Sequence, residues 1–454
     1  MTQRQARNQT QLLSILRTGA KTSQELQQAL GVSQPTLSRL ISGSGGQVLS
    51  LGRARNTHYA ILRNVRWTGG EFPVYKITTA GDAQILGTLY ALEGGQFWWE
   101  PEGGQGELFH DLPWFIQDLR PEGFMGRAFA HTQSQELNLP DRLSDWNADH
   151  VVIALSQRGE DCMGNLIIGE VSLQRYFQWA RQPMEAVMSD ERMARYSEFA
   201  RAAMDGAPPG SSAGGEQPKF ATPVTDNGQI RHVLVKFSPS TDSIEGRRWA
   251  DLLICEHIAL QIIQEYGIQA ASSHIIESQD RIFLEVTRFD RQGQFGRLPM
   301  VSLGSVDNEF FGQMDNWISA ASRLERAGML SAEDANNLRW LSVFGNLIGN
   351  TDQHFGNVSL IMEDGRRRFS VAPAYDVLPM LYRPQGNEVL ARNFNPGIPA
   401  AGAIGQWSSA QEFAMKFWEM ASIDRRVSED FREICLQNLA IVNELNRGPR
   451  LIKA

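Results

Sequence analysis

The sequence lacks the features of a secreted, membrane-spanning or zinc-stabilised protein. Its 454 residues include only three cysteines, which are far apart and do not have the paired spacing of metal ligands. No apolar run approaches the roughly 18 residues that span a bilayer, and no signal-peptide pattern opens the chain. We therefore expect a cytoplasmic protein with no membrane partner, whose cysteines belong to its core.

Acidic residues are scarce in one part of the chain. Residues 1–62 contain seven lysines and arginines but a single acid, Glu25, and so carry a net charge of +6 in a chain whose net charge is −8. The rest of the chain is therefore acidic, at −14. This asymmetry predicts that only the N-terminal part binds a polyanion.

The pattern of residues 1–64 predicts a winged helix-turn-helix domain. Three short apolar-periodic helices are followed by two alternating strands around a basic turn at 52–56, the expected wing. In such folds the third helix reads DNA bases, while the wing contacts phosphates. The residues predicted to contact DNA are Ser33, Gln34, Thr36, Ser38 and Arg39 on the helix, with Arg53 and Arg55 on the wing. The alternative is a helical module that binds no nucleic acid.

Residues 65–200 are predicted to form a second, β-rich domain without catalytic chemistry of its own. Short alternating runs separated by glycines indicate strands at 84–92, 97–99 and 150–155, with the pair Trp98-Trp99 in the core of a sheet. A helical stretch at 173–205 should lead into a third domain, 201–454.

Segment 349–357, Gly-Asn-Thr-Asp-Gln-His-Phe-Gly-Asn, carries the most informative pattern. It is followed by Ala-Tyr-Asp at 374–376. The order acid, amide, acid is typical of phosphoryl-transfer enzymes of the protein-kinase kind. There one carboxylate, here Asp352, orients a hydroxyl, while an amide and a second carboxylate, here Asn357 and Asp376, hold magnesium. The alternative for Gly-Asn-Thr-Asp is an ordinary turn, since these residues favour turns, and the alternative for Asp376 is a helix cap.

Three upstream features fit the same chemistry. A loop rich in glycine, serine and proline at 208–217 could admit phosphate oxygens to its backbone amides, and Lys219 follows it. A buried strand at 232–237 includes Lys236, which could reach phosphates, and a helix at 249–266 carries Glu256 in its middle. The alternatives are a flexible linker, a lysine that extends to solvent from a strand end, and an exposed glutamate.

Together these motifs resemble the HipA family of bacterial serine/threonine kinases. Three motifs are similar to the kinase part of that family. They are Ser-x-x-Gly-x-Gln-x-Lys, which begins at Ser212, and the motifs at 349–357 and 374–376. Segments 112–123 and 158–164 are similar to its N-terminal subdomain. The resemblance covers about residues 65–440. It implies an α+β fold with a two-lobed kinase-like domain and a helical C-lobe.

The resemblance also implies ATP and Mg²⁺ as cofactors and a set of site residues. Asp352 would be catalytic, Asn357 and Asp376 would hold the metal, and the residues around ATP would be Ser212, Gly214, Gly215, Lys236, Glu256, Phe289, Asp290 and His354. In the family a loop serine, here Ser212, is autophosphorylated, which ejects the loop and switches the enzyme off. Residues 283–291 are similar to the strand and hinge that connect the two lobes in the family. There the family usually has an acidic residue where this chain has Thr287.

The expected function is therefore a toxin-type protein kinase that phosphorylates a serine or threonine of a cellular protein, such as a translation factor. The fused DNA-binding module resembles the stand-alone, YjjJ-like type of the family, and the habit of winged-helix proteins suggests a homodimer. Two alternatives remain open at this point. One is a metal-dependent nuclease using Asp352, His354 and Asp376, and the other is a DNA-binding regulator with a non-catalytic kinase fold.

Overall fold

The fold was examined in a computed structural model that describes residues 3–53, 57–182, 184–205, 217–363, 367–398 and 400–445. The chain divides into two compact units. The first comprises Met1–Arg120 with Ser134–Pro183, and the second comprises Pro121–Gln133 with Met184–Ala454. Helices and antiparallel sheets occur in both, so the fold class is α+β, as predicted.

The first unit begins with three helices and a small antiparallel sheet, in the strand order β1-β3-β2. The elements are α1 (Gln3–Leu16), β1 (Lys21–Thr22), α2 (Ser23–Leu30), α3 (Gln34–Ser42), β2 (Leu49–Leu51) and β3 (His58–Ala60). Thr22 and Glu25 form a reciprocal capping box at the start of α2, and Gly31 ends that helix with a positive φ. Leu12, Leu26 and Leu37 bring one side chain from each helix into a common core.

A five-stranded antiparallel sheet, in the order β7-β6-β5-β4-β8, forms the rest of the first unit together with three helices and the C-terminal end of a fourth, α5, whose residues 123–133 belong to the second unit. The elements are β4 (Glu71–Ile77), β5 (Ala83–Ala91), β6 (Phe97–Pro101), β7 (Glu107–Phe109), α4 (Trp114–Gln117), α5 (Gly123–Leu137), α6 (Ala148–Arg158), β8 (Leu166–Ile168) and α7 (Glu170–Arg181). Trp98 and Trp99 of β6 are buried, which confirms their predicted place in a sheet core.

The three-helix part and the five-stranded sheet share a core. Trp98 of β6 packs in one cluster with Leu51 and Ala60 of the small sheet, and the side chain of Gln96 accepts a hydrogen bond of 2.7 Å from Ala20 N. The approach is close, since a Cβ atom at Gly19 would lie 2.6 Å from Gln96 Oε1. These N-terminal elements are therefore built onto the sheet rather than tethered to it.

Two predictions from the sequence were wrong in this region. Residues 150–155, expected as a strand, lie in α6, where Asn147 caps the helix through His150 N and every residue from Val151 to Ser156 is buried. A helix buried all round shows no polar face, so its pattern is that of a buried strand. The stretch 173–205, expected to be helical, is helical only at its two ends, because α7 ends at Arg181, just before Pro183, and the next helix begins at Arg192.

The second unit begins with a five-stranded sheet in the order β12-β13-β11-β10-β9. Its elements are β9 (Val187–Met188), α8 (Arg192–Asp205), β10 (Lys219–Asp226), β11 (Gln229–Phe237), α9 (Ile244–Tyr266), β12 (Ser273–Glu277), β13 (Ile282–Thr287), β14 (Arg291–Gln292) and β15 (Gly296–Arg297). Tyr196 and Ala200 of α8 pack on the apolar cluster formed by Val233, Val235 and Phe237 of β11.

A mainly helical part follows. Its elements are β16 (Met300–Ser302), α10 (Leu303–Phe310), α11 (Trp317–Arg326), α12 (Ala332–Leu347), β17 (Ser359–Met362), β18 (Phe369–Val371), α13 (Ile404–Ile423) and α14 (Glu429–Glu444). The rings of Tyr266, Trp340 and Phe344 stack in succession, with centroids 4.1 and 4.9 Å apart, and so join α9 to α12. None of the helices in the described ranges combines the length and apolar composition that crossing a membrane requires.

Candidate functional site

The centre of the candidate site is a cluster of three charges, in which Lys236 and Glu256 are buried and the Asp376 side chain is 29% exposed. Lys236 Nζ lies 2.7 and 2.8 Å from the two carboxylate oxygens of Glu256 and also donates a hydrogen bond to Asp376. Glu256 is fully buried, and the Lys236 side chain is 4% exposed. Neither residue therefore matches the alternatives of an exposed glutamate and a solvent-directed lysine. Both side chains are buried and so are shielded from solvent. Buried charges are stable only when they are paired, which explains why Lys236 and Glu256 bind each other.

Electrostatics keep the lysine and Asp376 ionised. Burial lowers the pKa of Lys236, but the carboxylates of Asp376 and Glu256 outweigh burial and raise it above its ordinary value. Burial likewise opposes ionisation of Asp376, yet the charges of Lys236 and Lys219 lower its pKa to about 2. For Glu256 burial is the largest effect, and it raises the pKa of that carboxyl. The cluster thus holds an ammonium group between carboxylates in a low-dielectric setting.

The segment 374–376 is held to the rest of the unit by its backbone. Ala374 N donates to Gln269 O and Ala271 N donates to Ala374 O, both next to β12. Asp376 N donates to Glu256 Oε1 over 3.2 Å, so one carboxylate holds both the lysine and the backbone of the second acid. Asp376 has a φ of +57°, a left-handed conformation that aspartate and asparagine adopt more readily than most residues.

The segment 349–357 is a structured loop that follows α12. Asn350 Oδ1 accepts from Asp352 N over 3.1 Å, and Gln353 is bound to Ser342 and Asn346 of α12. The Asp352 side chain is 42% exposed, and its carboxylate lies 4.0 Å from His354 Nε2. A carboxylate placed in this way is open to a hydroxyl arriving from solvent.

Asn357 is oriented by the same loop. Its side-chain nitrogen donates to Asp352 O over 2.8 Å, which leaves the amide oxygen as the atom available to a ligand. The described residues contain no group of three or more His, Cys, Asp or Glu side chains placed to hold a metal. Magnesium, however, takes oxygen ligands and retains several waters, so an amide oxygen and the ionised carboxylate of Asp376 fit its chemistry.

The hinge segment after β13 lies in the same unit. Phe289 packs against Tyr375 with ring centroids 5.7 Å apart, so a hinge ring touches the segment that carries Asp376. The Asp290 carboxylate is buried and accepts hydrogen bonds from Arg288 and Arg291. It therefore shapes the hinge, and its contact with a nucleotide stays a prediction.

Thr287, where the family usually has an acid, faces away from the charge cluster. In the β11–β13 ladder Val233 pairs with Thr287 and Lys236 pairs with Leu284. Because side chains alternate along a strand, Thr287 and Lys236 lie on opposite faces of the sheet. The threonine hydroxyl accepts a hydrogen bond of 2.7 Å from Arg231. The difference from the family at Thr287 therefore affects the face of the sheet that packs against α8, and not the face that carries Lys236.

Lys219 is the functional residue that sequence reasoning left out of its site. It opens β10 directly opposite Lys236; its charge helps to lower the pKa of Asp376 and partly offsets the rise that burial causes in the pKa of Glu256. Its position at the end of the Ser-x-x-Gly-x-Gln-x-Lys motif could have identified Lys219 as a candidate site residue. Ser212, Gly214 and Gly215 of that loop, like Arg55 of the predicted wing, lie outside the described residues.

The other residues predicted to bind DNA lie on the first unit. Ser33, Gln34, Ser38 and Arg39 are exposed on and before α3, and Thr36 is half-buried. Gln34 is tied to α2, because its side-chain oxygen accepts from Gln27 Nε2 over 2.7 Å. Arg53 is exposed beyond β2.

Comparisons with known proteins agree with this fold. A family model described as "YjjJ-like toxin, middle domain" matches residues 68–177, and one described as "HipA-like C-terminal domain" matches residues 211–441. The chain is 35% identical to Toxin YjjJ of Escherichia coli (strain K12) over 94% of its length and 95% of that protein. Among solved structures it is similar to HipA of Shewanella oneidensis MR-1, seen in a complex with HipB and operator DNA. The TM-score is 0.51 at 16% identity, over 82% of this chain and 97% of that one.

The fold and the matched domains are those of the HipA class of toxins, and the protein belongs to that family. Its similarity to Toxin YjjJ extends over nearly the whole of both chains. The resemblance drawn from the sequence motifs is thereby confirmed.

The charge cluster predicts an acid-dependent stability. The folded pKa of Asp376, about 2, lies below its ordinary value of 3.8, so its stabilisation is complete above that value and is lost as the pH falls towards 2. We expect Asp376→Asn, which tolerates the same backbone, to lower the free energy of unfolding by about 2 kcal/mol at neutral pH. As the pH falls from about 5 to about 3, the difference in the free energy of unfolding between wild type and Asp376→Asn should decrease by about 1 kcal/mol. Urea unfolding measures this difference.

The matched control is Asp190→Asn at an exposed position of the same unit. It should change stability little and show no narrowing with pH. A deficit in Asp376→Asn that stays constant from neutral to acid pH would show that the Asp376 charge does not stabilise the fold.

Proposed function

We propose that this protein is an ATP-dependent serine/threonine protein kinase. The observation that carries the proposal is the buried ion pair between Lys236 and Glu256, with Asp376 on the same ammonium group. An ion pair between a strand lysine and a helix glutamate, followed by a metal-binding acid, is the arrangement that protein kinases require for phosphoryl transfer. The open carboxylate of Asp352 supplies the remaining part.

The phosphates of ATP would be bound by the two lysines that face each other across β10 and β11. Lys236 is held by Glu256, so its ammonium is fixed in place before a nucleotide arrives, and Lys219 adds a second cation. Preorganised charges of this kind stabilise the negative charge that spreads over the transferring group. Magnesium held by Asn357 and Asp376 would neutralise further phosphate charge when bound.

Asp352 would position the acceptor. A serine or threonine hydroxyl oxygen attacks the γ-phosphorus of ATP while the bond from that phosphorus to the β–γ bridging oxygen breaks, and ADP leaves. The hydroxyl proton passes to the Asp352 carboxylate, which is exposed and therefore accessible to a protein substrate. Most of the rate enhancement then comes from orientation and from fixed charge.

We further propose that Ser212 is an internal acceptor. The glycine-rich loop connects α8, which ends at Asp205, to β10, which begins at Lys219 beside the charge cluster. A serine seven residues before Lys219 is joined to the site by a chain that spans at most about 25 Å when extended. Its phosphorylation would add negative charge next to the two lysines and so remove them from the nucleotide.

The first three helices and the small sheet are proposed to act as a winged helix-turn-helix that binds DNA. Helix α3 follows α2 through a short turn, and β2 and β3 lead to the basic residues at 53–55. The relative in Shewanella oneidensis was solved with HipB and operator DNA. In this chain the +6 charge of residues 1–62 supports direct contact with phosphates.

The kinase proposal predicts that Asp352→Asn abolishes phosphoryl transfer. With γ-labelled ATP and magnesium, the rate should fall by about 100- to 10,000-fold, because the amide cannot accept the hydroxyl proton. Affinity for a fluorescent ATP analogue should remain, since Lys236 and its partners are untouched. Transfer at the wild-type rate would contradict the role of Asp352, and absence of label from the wild-type protein, purified free of phosphate, would contradict the kinase proposal.

The internal acceptor predicts that Ser212→Ala removes most self-labelling. Phosphorylation of an added protein or peptide should persist in this variant, because the loop serine is a substrate and not part of the charge cluster. The adjacent serine provides the control: Ser211→Ala should label like wild type. Mass spectrometry of the labelled protein identifies the residue, and label that stays in Ser212→Ala but disappears in Ser211→Ala would move the acceptor by one position.

The DNA proposal predicts that Arg39→Ala and Arg53→Ala weaken binding by roughly tenfold each, at equal salt. Fluorescence anisotropy with a DNA duplex measures the effect, and the loss of a phosphate contact should also reduce the salt dependence. Arg142→Ala, an exposed arginine elsewhere in the first unit, is the control. Equal binding by all three variants and wild type would leave the module without a DNA-binding role.

A further inference from the structure

A large cavity opens beside Asp352 in the second unit. It has a volume of about 890 Å³ and is lined by α11, the second half of α12, the loop 350–354 and residues at 400–402. This volume is at the upper end of the roughly 300–1,000 Å³ of small-molecule sites and exceeds what a single hydroxyl group requires. Asp352 and His354 lie in its wall, so whatever occupies the cavity reaches the candidate catalytic carboxylate.

The lining is rich in neutral hydrogen-bonding groups. Ser319 and Ser322 of α11, Asn346 of α12 and Thr351 of the loop contribute hydroxyls and an amide, whereas Ile318 is the largest aliphatic side chain. Such a wall does not suit a lipid or an aromatic ligand. It suits an extended peptide, whose backbone offers one donor and one acceptor at nearly every residue.

One wall residue carries an unused donor. Asn350 is 3% exposed, and its oxygen accepts from Asp352 N, but its side-chain nitrogen has no hydrogen-bond acceptor among the residues that the structure describes. A buried amide without a partner is costly. Because this nitrogen is enclosed, the Asn350 side chain must turn towards the cavity before a carbonyl group of a ligand can supply the missing acceptor next to Asp352.

The two arginines in the wall differ in their surroundings. Arg323 is neutralised, since it donates to Asp307 and Asp315 over 2.6–3.0 Å. Arg326, one helical turn further along, is exposed and donates its Nε to Ser322 O over 3.0 Å. Within the described ranges no carboxylate forms an ion pair with Arg326. It is therefore the cation of this cavity that is available to a ligand.

We propose that this cavity binds the peptide segment that carries the acceptor serine or threonine, and that Arg326 selects segments with an acidic residue near the acceptor. The inference rests on the proposed kinase function, because it is Asp352 that makes the position useful. It adds a substrate class, namely acidic peptide segments, which the charge cluster around Lys236 does not define.

Phosphorylation of synthetic peptides tests the proposal. The parent peptide has a central serine among alanines and glycines, and glutamate or lysine replaces each flanking residue in turn. Wild type should prefer glutamate at one or two positions. Arg326→Ala should raise the KM for those peptides by about fivefold, the size expected of one exposed ion pair, with little change in kcat. Arg326→Glu should shift the preference to lysine at the same positions.

Two further variants complete the test. Arg425→Glu changes an exposed arginine outside the cavity and should leave peptide preference unchanged. Ser319→Trp places a large side chain in the cavity and should reduce peptide phosphorylation by at least about tenfold, while affinity for a fluorescent ATP analogue stays the same.

The outcomes separate this inference from the kinase proposal. No label on the wild-type protein or on any peptide would mean that the proposed kinase function has failed. Self-labelling without peptide phosphorylation, or peptide phosphorylation with the same preference in wild type and both Arg326 variants, would overturn the cavity assignment alone. Reversal of preference in Arg326→Glu but not in Arg425→Glu would establish it.

Discussion

The site depends on one buried carboxylate. Glu256, in the middle of a helix that is buried along most of its length, accepts two hydrogen bonds from the ammonium group of Lys236 and a third from the backbone of Asp376. These contacts join a strand, a helix and a loop that are far apart in the chain. A buried carboxylate without partners is very unfavourable, and removing one member of a buried ion pair typically costs about 3–5 kcal/mol. The three elements therefore hold their positions together or not at all.

A second buried carboxylate organises the opposite side of the same sheet. Glu285 accepts from Tyr196 over 2.6 Å and from Arg231 over 2.9 Å, and Arg231 also binds Thr287. Tyr196 belongs to α8, the helix that precedes the glycine-rich loop. The carboxylates on the two faces of the sheet therefore hold different parts of the structure. Glu256 fixes the charges that would meet a nucleotide, and Glu285 fixes the helix from which the loop departs.

The first unit gives the N-terminal elements a similar constraint. Because Trp98 packs with Leu51 and Ala60, strands β2 and β3 have a fixed position relative to the five-stranded sheet. A helix-turn-helix on a flexible linker would search for DNA independently of its neighbour. Here the small sheet and the five-stranded sheet share a core, so the proposed DNA-binding elements have a defined orientation relative to the five-stranded sheet.

The sequence by itself determined the family and most of the elements. Spacing and resemblance identified five candidate site residues: Lys236, Glu256, Asp352, Asn357 and Asp376. This was possible because few residue types serve phosphoryl transfer and because they follow one another in the order typical of kinases. The wrong predictions occurred where local pattern is ambiguous. Residues 150–155 are uniformly buried and so carry no periodicity to separate helix from strand, and the end of α7 could not be read from apolar spacing.

Tertiary structure alone decided which charges meet and which sites are open. No spacing indicates that Lys219 lies opposite Lys236, that Asp290 is enclosed by two arginines, or that Thr287 faces α8. The cavity beside Asp352 is likewise formed by segments from 315 to 402 that only folding brings together. Side-chain identity fixes what a residue can do, whereas its pKa, exposure and partners depend on neighbours that are distant in sequence.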